Sequence, residues 1–258
     1  IALSWGREWS RQDHEPRKGV YLHGPTGTGK SSCVREWFAR LNVPLVRFTW
    51  DPRKEAQDLL LQRTLIDGTL VDVDGPITRA ARYGLPLLID EVDLADPAEL
   101  TSLNDLIESG LITLPSGEVV RARRGFVVFA TGNTAGTEDE TGAYRGTRGQ
   151  NVAFLRRFYN VRVGYPTSAQ LEEWLTAMKP AAPKQLVSAV ADAATRMRQA
   201  FEGTKDGIAL SAPISQPEVL HWLEALGHFQ RLASTGISPA KYALKGVFSG
   251  RLSLGDQE

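Results

Sequence analysis

Short apolar runs alternate with helical patterns along the first half of the chain. The runs are Gly19–His23, Val43–Trp50, Leu85–Ile89 and Phe126–Ala130, and the clearest helical pattern is Ser31–Leu41. Almost continuous apolar runs of this kind are typical of parallel strands that are covered on both faces. We therefore predict an α/β fold built on a doubly wound parallel sheet.

Two segments interrupt this alternation. Residues 57–82 include the strand-like piece Thr69–Val73, which is followed by the turn signal Asp74-Gly75-Pro76. Residues 111–122 consist of two β-prone pieces around Pro115-Ser116-Gly117, a pattern that predicts a β-hairpin. Both segments therefore break the simple alternation of strands and helices.

The pattern changes at Tyr165-Pro166. Proline disfavours a helical conformation in the residue before it, and from Thr167 onward the apolar spacing is helical. Thr167 and Gln170 have the spacing of a capping box at a helix start. We predict an α/β domain at residues 1–165 and a small helical domain at residues 166–258.

A glycine-rich turn that follows the first strand matches the phosphate-loop pattern G-x-x-x-x-G-K-[ST] at every position. Glycines let consecutive backbone N–H groups approach phosphate oxygens, and the following helix adds its positive end. The alternative is a chance match, which the strand before and the helix after argue against. The predicted nucleotide-binding residues are Gly24, Pro25, Thr26, Gly27, Thr28, Gly29, Lys30, Ser31 and Ser32. We expect Lys30 to reach the β- and γ-phosphates and Ser31 to ligate Mg²⁺.

Two carboxylates, Asp90 and Glu91, follow the apolar run that ends at Ile89. Ligands of open α/β sheets bind at this end of the strands. We predict that Asp90 holds Mg²⁺, directly or through water, and that Glu91 activates the attacking water as a general base. The alternative is a solvated strand end, and for the nearby Asp93 and Asp96 we prefer a solvated loop or a helix cap.

The next strand ends in Thr131-Gly132-Asn133. Asn133 would lie between the first two motifs and could orient the water, although asparagine is also common in turns. Arg157 follows a helical-looking stretch and is a candidate for the extra cation that phosphate-loop enzymes use in the transition state. A surface arginine is an equal alternative.

Composition narrows the setting. Thirty basic and thirty acidic side chains cancel, so the chain has no global preference for nucleic acid or a charged membrane. The basic cluster Arg121, Arg123 and Arg124 is interpreted as a solvated face or, less often, a contact to nucleic acid or to an acidic partner. One cysteine, Cys33, allows no internal disulfide, no apolar run approaches the roughly 20 residues that span a bilayer, and the first ten residues are too polar for a signal peptide. We expect a cytoplasmic protein without a membrane partner.

These motifs in this order resemble the AAA+ superfamily, and within it the MoxR-like group and the ATPase subunit of cobaltochelatase (CobS type). In the α/β domain the similarity rests on Thr131-Gly132-Asn133, Gly136, Asp139, Thr141-Gly142, Tyr144, Gly146-Thr147, Asn151, Ala153 and Arg157. In the helical domain it rests on Thr195-Arg196, Phe201, Gly203, Ile214-Ser215, Val219, Trp222 and Glu224. The interruptions at about 57–82 and 111–122 resemble the group's insert in the second helix and its hairpin before the third motif.

The resemblance implies a hexameric ring with ATP at the subunit interfaces. Arg157 would be the finger that reaches the neighbour's ATP, and the inserts would face the pore or a partner protein, often one with a von Willebrand A domain. The family implies chaperone-like remodelling of that partner.

Two positions depart from the family. The family has Ser-Pro-Arg in the helical domain, whose arginine senses the γ-phosphate, whereas this chain has Ser215-Gln216-Pro217. Arg196 or Arg198 could substitute for that arginine, or hydrolysis could be coupled differently to motion of the helical domain. Arg156 stands where the family usually has aspartate.

Three functions remain open on the sequence. The first is an ATP-driven remodelling motor, the second a motor directed at nucleic acid, and the third a nucleotide-gated binding module with little turnover. Asp90 and Glu91 favour turnover, the basic cluster keeps the second function open, and the missing arginine motivates the third. The sequence does not distinguish ATP from GTP.

Overall fold

The computed structural model describes residues 1–11, 17–51, 55–101, 103–136, 147–203, 210, 212–229 and 234–252. The chain divides into two compact units. Ile1–Gly24 and Lys30–Val163 form the first, and Pro25–Gly29 and Gly164–Glu258 form the second. The resemblance residues Asp139, Thr141, Gly142, Tyr144 and Gly146 lie outside the described residues.

The helices and strands of the described residues are, in chain order, α1 (Ala2–Ser10), β1 (Gly19–His23), α2 (Lys30–Arg40), β2 (Val46–Thr49), α3 (Ala56–Leu60), β3 (Leu61–Ile66), β4 (Thr69–Asp74), α4 (Pro76–Tyr83), β5 (Leu87–Asp90), α5 (Pro97–Thr101), α6 (Asn104–Ser109), β6 (Leu111–Thr113), β7 (Val119–Arg121), β8 (Val128–Gly132), α7 (Val152–Leu155), β9 (Phe158–Arg162), α8 (Ser168–Met178), α9 (Lys184–Phe201), α10 (Gln216–Phe229) and α11 (Pro239–Val247).

Within these described elements, five strands form one sheet in the order β2-β5-β8-β1-β9, and every neighbouring pair is parallel. Successive residues of the central strands enter different cores. Leu87 and Ile89 belong to one buried cluster, and Leu88 belongs to another. On the neighbouring strand, Val128 belongs to the first of these clusters and Phe129 to the second. The sheet is therefore covered on both faces, which confirms the predicted α/β class.

The four predicted strands are confirmed, the first with the predicted bounds and the other three with shifted bounds. The second is shorter than the run Val43–Trp50, and the fourth begins at Val128 instead of Phe126 because the first two residues of that run precede the ladder. The predicted helix begins one residue earlier, at Lys30. β9 was not predicted, because of its five residues Phe158 alone is buried and the apolar run is lost.

Both interruptions contain antiparallel hairpins. β4 confirms the strand-like piece at 69–73, and it pairs with β3, which the sequence did not predict because its residues are largely exposed. β6 and β7 confirm the hairpin predicted at 111–122.

The second unit contains α8 to α11 around an apolar core. α8 begins at the predicted capping box, in which Thr167 and Gln170 bond each other's backbone N–H groups. α10 begins with a similar exchange, because the Ser215 N–H donates to Glu218 Oε2 at 2.7 Å and the Glu218 N–H donates to Ser215 Oγ at 3.4 Å. Both caps fix where the helices start.

Candidate functional site

The predicted motifs meet at one edge of the sheet. β5, β8 and β1 are adjacent and parallel, with Ile89 opposite Ala130 and His23 opposite Gly132. Their carboxyl ends carry Asp90, Asn133 and the start of the phosphate loop. This is the edge at which open parallel sheets bind ligands.

Gly24 and Gly27 show why the phosphate loop requires glycine at these two positions. Gly24 has φ +139° and Gly27 has φ +77°, in the region that L side chains rarely adopt. A Cβ at Gly24 would overlap the carbonyl oxygen of Val163, and a Cβ at Gly27 would overlap the Ser215 side chain. The loop therefore requires glycine both for its backbone conformation and for its close contacts.

Lys30 lies between the loop and the end of β8. Its side chain is buried, and Nζ donates to Gly24 O at 2.6 Å and to Asn133 Oδ1 at 3.3 Å. Burial lowers the pKa of Lys30 to about 8, against the opposing effect of the nearby carboxylates, of which Asp93 acts most strongly. The predicted lysine and asparagine are thus in direct contact.

Asp90 is buried and fully engaged by its neighbours. The Ser31 hydroxyl donates to Oδ1 at 2.5 Å and the Thr131 hydroxyl donates to the same atom at 2.9 Å. Arg47 Nε donates to Oδ2 at 2.5 Å. The predicted pair of Ser31 and Asp90 is therefore brought together, whereas the sequence assigned no contact with Asp90 to Thr131 or Arg47.

The oxygen pair of Ser31 and Asp90 suits a magnesium ion. Mg²⁺ prefers oxygen ligands and commonly binds through one or two carboxylates together with substrate phosphates and waters. One hydroxyl and one carboxylate leave most of the coordination positions of the ion to other oxygens. These residues therefore fit an ion that a nucleotide's phosphates and waters complete.

Glu91 differs from Asp90 in both backbone and exposure. Its φ of 58° and ψ of 42° place it in the left-handed region, which costs a non-glycine residue about 1–3 kcal/mol. Its N–H donates to the Thr131 hydroxyl at 3.2 Å, and its side chain is exposed while Asp90 is buried. The strained turn separates the two carboxylates, leaving one accessible to water and one beside Ser31.

The environment of Asp93 differs from the one that the sequence predicted. We expected a residue of a solvated loop or a helix cap, but Asp93 is fully buried, and its Oδ2 accepts the N–H of Asn133 at 2.6 Å and that of Thr134 at 3.2 Å. The carboxylate therefore holds the backbone that carries Asn133. The available signal was its position between the apolar residues Val92 and Leu94.

Asp96, the other nearby acid, behaves as a cap. It is exposed, its Oδ1 accepts the N–H of Ala98 at 2.9 Å, and its Oδ2 pairs with Arg148 Nη1 at 2.5 Å. The expected cap is confirmed.

Arg157 makes its contacts with residues other than those that surround Lys30 and Asp90. Its Nη2 pairs with Glu108 Oε2 at 2.7 Å, its Nη1 donates to Ala153 O, and its own carbonyl accepts the N–H of Gly19. Within the described part of the chain, none of its hydrogen bonds or ion pairs involves Lys30 or Asp90. The structure thus does not bring Arg157 to the other predicted site residues.

The basic cluster at 121–124 is exposed at each of its arginines, as expected for a solvated face. No helix of the described residues is both long enough and apolar enough to cross a bilayer.

Comparisons with known proteins agree with this geometry. Residues 19–158 match the family model described as AAA domain (dynein-related subfamily), which covers more than half of the chain. The match includes β1, the phosphate loop, both hairpins and the strand ends described above. The resemblance to AAA+ ATPases of the MoxR and CobS type is confirmed by this match together with the relatives below.

Three relatives illustrate the likeness. An uncharacterized protein of Staphylococcus haemolyticus is 33% identical over 155 residues, 57% of this chain and 56% of the relative. The aerobic cobaltochelatase subunit CobS of a Sinorhizobium species is 34% identical over 145 residues, 54% of this chain and 44% of the relative. The uncharacterized protein YojN of Bacillus subtilis is 30% identical over 176 residues, 66% of this chain and 55% of the relative. The chain spans about half the length of the curated relatives it matches.

Proposed function

Because the chain belongs to the AAA domain family, dynein-related subfamily, we propose that it is an ATPase whose hydrolysis cycle remodels a partner protein. ATP with Mg²⁺ binds the phosphate loop, and the active unit is a ring, taken as a hexamer, with ATP at its subunit interfaces. The observation that carries the proposal is the contact of Lys30, Ser31, Asp90 and Asn133 at one sheet edge.

The residues divide the chemistry between them. Lys30 neutralises charge on the terminal phosphates, Asn133 orients the attacking water, and the exposed Glu91 accepts its proton. Ser31 and Asp90 would hold Mg²⁺, which neutralises charge that develops on the phosphates. An accessible acid beside a buried one favours hydrolysis over passive nucleotide binding.

The contacts of Arg157 support an interface mechanism. Its pairing with Glu108 and Ala153 leaves the cluster of its own chain without that cation. In phosphate-loop enzymes the transition-state cation can come from a neighbouring chain. We therefore assign Arg157 to the ATP of the adjacent subunit.

Exposed apolar side chains support a protein partner. Leu65, Ile66, Leu70 and Val71 are exposed in the β3–β4 hairpin, and Val119 is exposed in β7. Exposed apolar patches are a mark of protein–protein contact sites. CobS is named as a cobaltochelatase subunit, and we propose an analogous protein partner here, one that carries a von Willebrand A domain.

Steady-state hydrolysis tests this function. Wild type is compared with Glu91→Gln and with Glu173→Gln, a matched change at an exposed acid of α8. Loss of turnover with retained ATP binding in Glu91→Gln, and unchanged turnover in Glu173→Gln, would support the ATPase. ATP binding without turnover in wild type, with and without candidate partners, would instead leave the nucleotide-gated module.

The same assay separates the remaining alternatives. Stimulation of hydrolysis by DNA or RNA that weakens steeply with salt would favour the motor directed at nucleic acid. Preference for GTP over ATP in competition would correct the assigned nucleotide.

A further inference from the structure

Arg198 is a buried cation in the second unit that the proposed function does not yet use. Its side chain is only 2% exposed, on α9. Nε donates to Ile214 O at 3.0 Å, while Nη1 and Nη2 have no hydrogen-bond partner among the described residues. Burial lowers the pKa of Arg198. A buried, incompletely paired guanidinium costs free energy that an apolar side chain of similar length would not.

Two chain segments contact this guanidinium, and each also reaches the phosphate loop. The guanidinium carbon lies 4.5 Å from the ring centroid of Tyr165, and the Tyr165 hydroxyl donates to Thr26 O at 3.0 Å. On the other side, Ile214 lies two residues before Gln216, whose N–H donates to Gly27 O at 3.3 Å. All of these residues belong to the same compact unit as Pro25–Gly29.

The two loop carbonyls have a consequence for phosphate binding. In a trans peptide the C=O and the following N–H point in opposite directions. Holding the carbonyls of Thr26 and Gly27 therefore directs the N–H groups of Gly27 and Thr28 to the opposite side of the loop. Inward-directed N–H groups are what the loop uses to bind phosphate oxygens.

We propose that Arg198 is a positioning residue for the phosphate loop, acting through Tyr165 and Ile214. This inference rests on the proposed binding of ATP at the loop. Arg196, the other candidate on α9, is exposed and serves as the matched control.

The test measures nucleotide affinity and turnover separately. The variants are Arg198→Met, Tyr165→Phe, the double variant and Arg196→Met, with a fluorescent ATP analogue for Kd and steady-state kinetics for KM and kcat. We expect Tyr165→Phe to raise Kd by about three- to tenfold, the effect of one hydrogen bond. Arg198→Met should raise Kd by about tenfold with a smaller fall in kcat, because the loop and not the chemistry is disturbed.

The double variant distinguishes positioning from a general loss of packing. If Arg198 acts through Tyr165, the double variant binds no more weakly than Arg198→Met alone, whereas independent effects would multiply. Arg196→Met should change Kd by less than about twofold. Tyr165→Phe keeps the test informative if Arg198→Met does not fold, because Tyr165 is partly exposed and loses only its hydroxyl.

The outcomes separate this inference from the function on which it rests. Wild-type binding of the analogue, with Kd unchanged in both Tyr165→Phe and Arg198→Met, would overturn the positioning role alone. Multiplied effects in the double variant would also overturn it. Failure of the wild-type chain to bind nucleotide would overturn the proposed ATPase and this inference together.

Discussion

At the scale of single residues, the candidate site depends on Asp93, a carboxylate that we predicted from the sequence to lie in a solvated loop or a helix cap. Asp93 accepts two backbone N–H groups, those of Asn133 and Thr134, from inside the protein. Its charge also adds to burial in raising the pKa of Tyr21, whose hydroxyl donates to Thr134 O. Asn133 therefore owes its position to Asp93.

Replacement of Asp93 by alanine should lower both stability and turnover. The variant leaves two buried N–H groups without their charged acceptor, which costs roughly 3 kcal/mol of the free energy of unfolding. Because Asn133 loses its support, kcat should fall more than KM rises. Urea unfolding and steady-state hydrolysis measure these effects, and Asp96→Ala is the exposed control. Equal stability of the two variants would contradict the role of Asp93.

With Mg²⁺ at Asp90, as the proposed function has it, Arg47 and the ion would compete for the same carboxylate. Its Nε donates to Asp90 Oδ2, and the Arg47 side chain is 43% exposed. Arg47→Gln should lower the Mg²⁺ concentration for half-maximal hydrolysis by up to about fivefold, since a partly exposed ion pair is worth at most about 1 kcal/mol. Arg40→Gln, which removes an exposed pair with Glu36, is the control. A higher Mg²⁺ requirement in Arg47→Gln would show that Arg47 assists the ion instead.

His23 predicts a pH dependence of stability. Burial, aided by the charges of Arg162 and Lys30, lowers the pKa of His23 below its usual 6.5. The unfolded chain then binds this proton more readily, so the folded state loses stability as pH falls through 6.5. Urea unfolding at about pH 7.5 and 5.5 should show a smaller loss for His23→Gln than for wild type. An identical loss in both would contradict the prediction.

At the scale of secondary-structure elements, Arg82 joins the two hairpins of the first unit. It pairs with Asp74 of β4 and with Glu118, which lies directly before β7. Arg82→Met should increase amide exchange in both β4 and β6–β7. Arg63→Met removes a pair with Asp72 inside the first hairpin, so it should affect β3–β4 alone. Unchanged exchange of β6–β7 in Arg82→Met would show that the hairpins are held independently.

The elements also show which patterns the sequence reveals. β5 and β8 are buried along their whole length, so their apolar runs predicted them. β3 and β9 are largely exposed, and an exposed strand keeps no continuous apolar run. The phosphate loop, Asp90 and Glu91 were predicted from local spacing. Arg47, Thr131 and Asp93 were not, because each acts through contacts that only the parallel sheet and its loops create.

At the scale of the whole molecule, the proposed ring predicts that two different inactive variants can complement each other at a shared subunit interface. An active interface needs Glu91 from one subunit and Arg157 from its neighbour. Glu91→Gln and Arg157→Ala should each be nearly inactive alone. In Arg157→Ala, kcat should fall by about 10³-fold or more.

Mixing the two inactive variants should restore hydrolysis. In a head-to-tail ring that mixes at random in equal amounts, about a quarter of the interfaces combine an intact Glu91 with an intact Arg157. Activity should rise with protein concentration, because the interface forms only on assembly. Arg156→Ala mixed with Glu91→Gln is the control. Because Arg156 is exposed, the Arg156→Ala variant should remain active alone. Mixtures of Glu91→Gln and Arg157→Ala that stay inactive, although mass measurement shows mixed assemblies, would place Arg157 outside the neighbour's site.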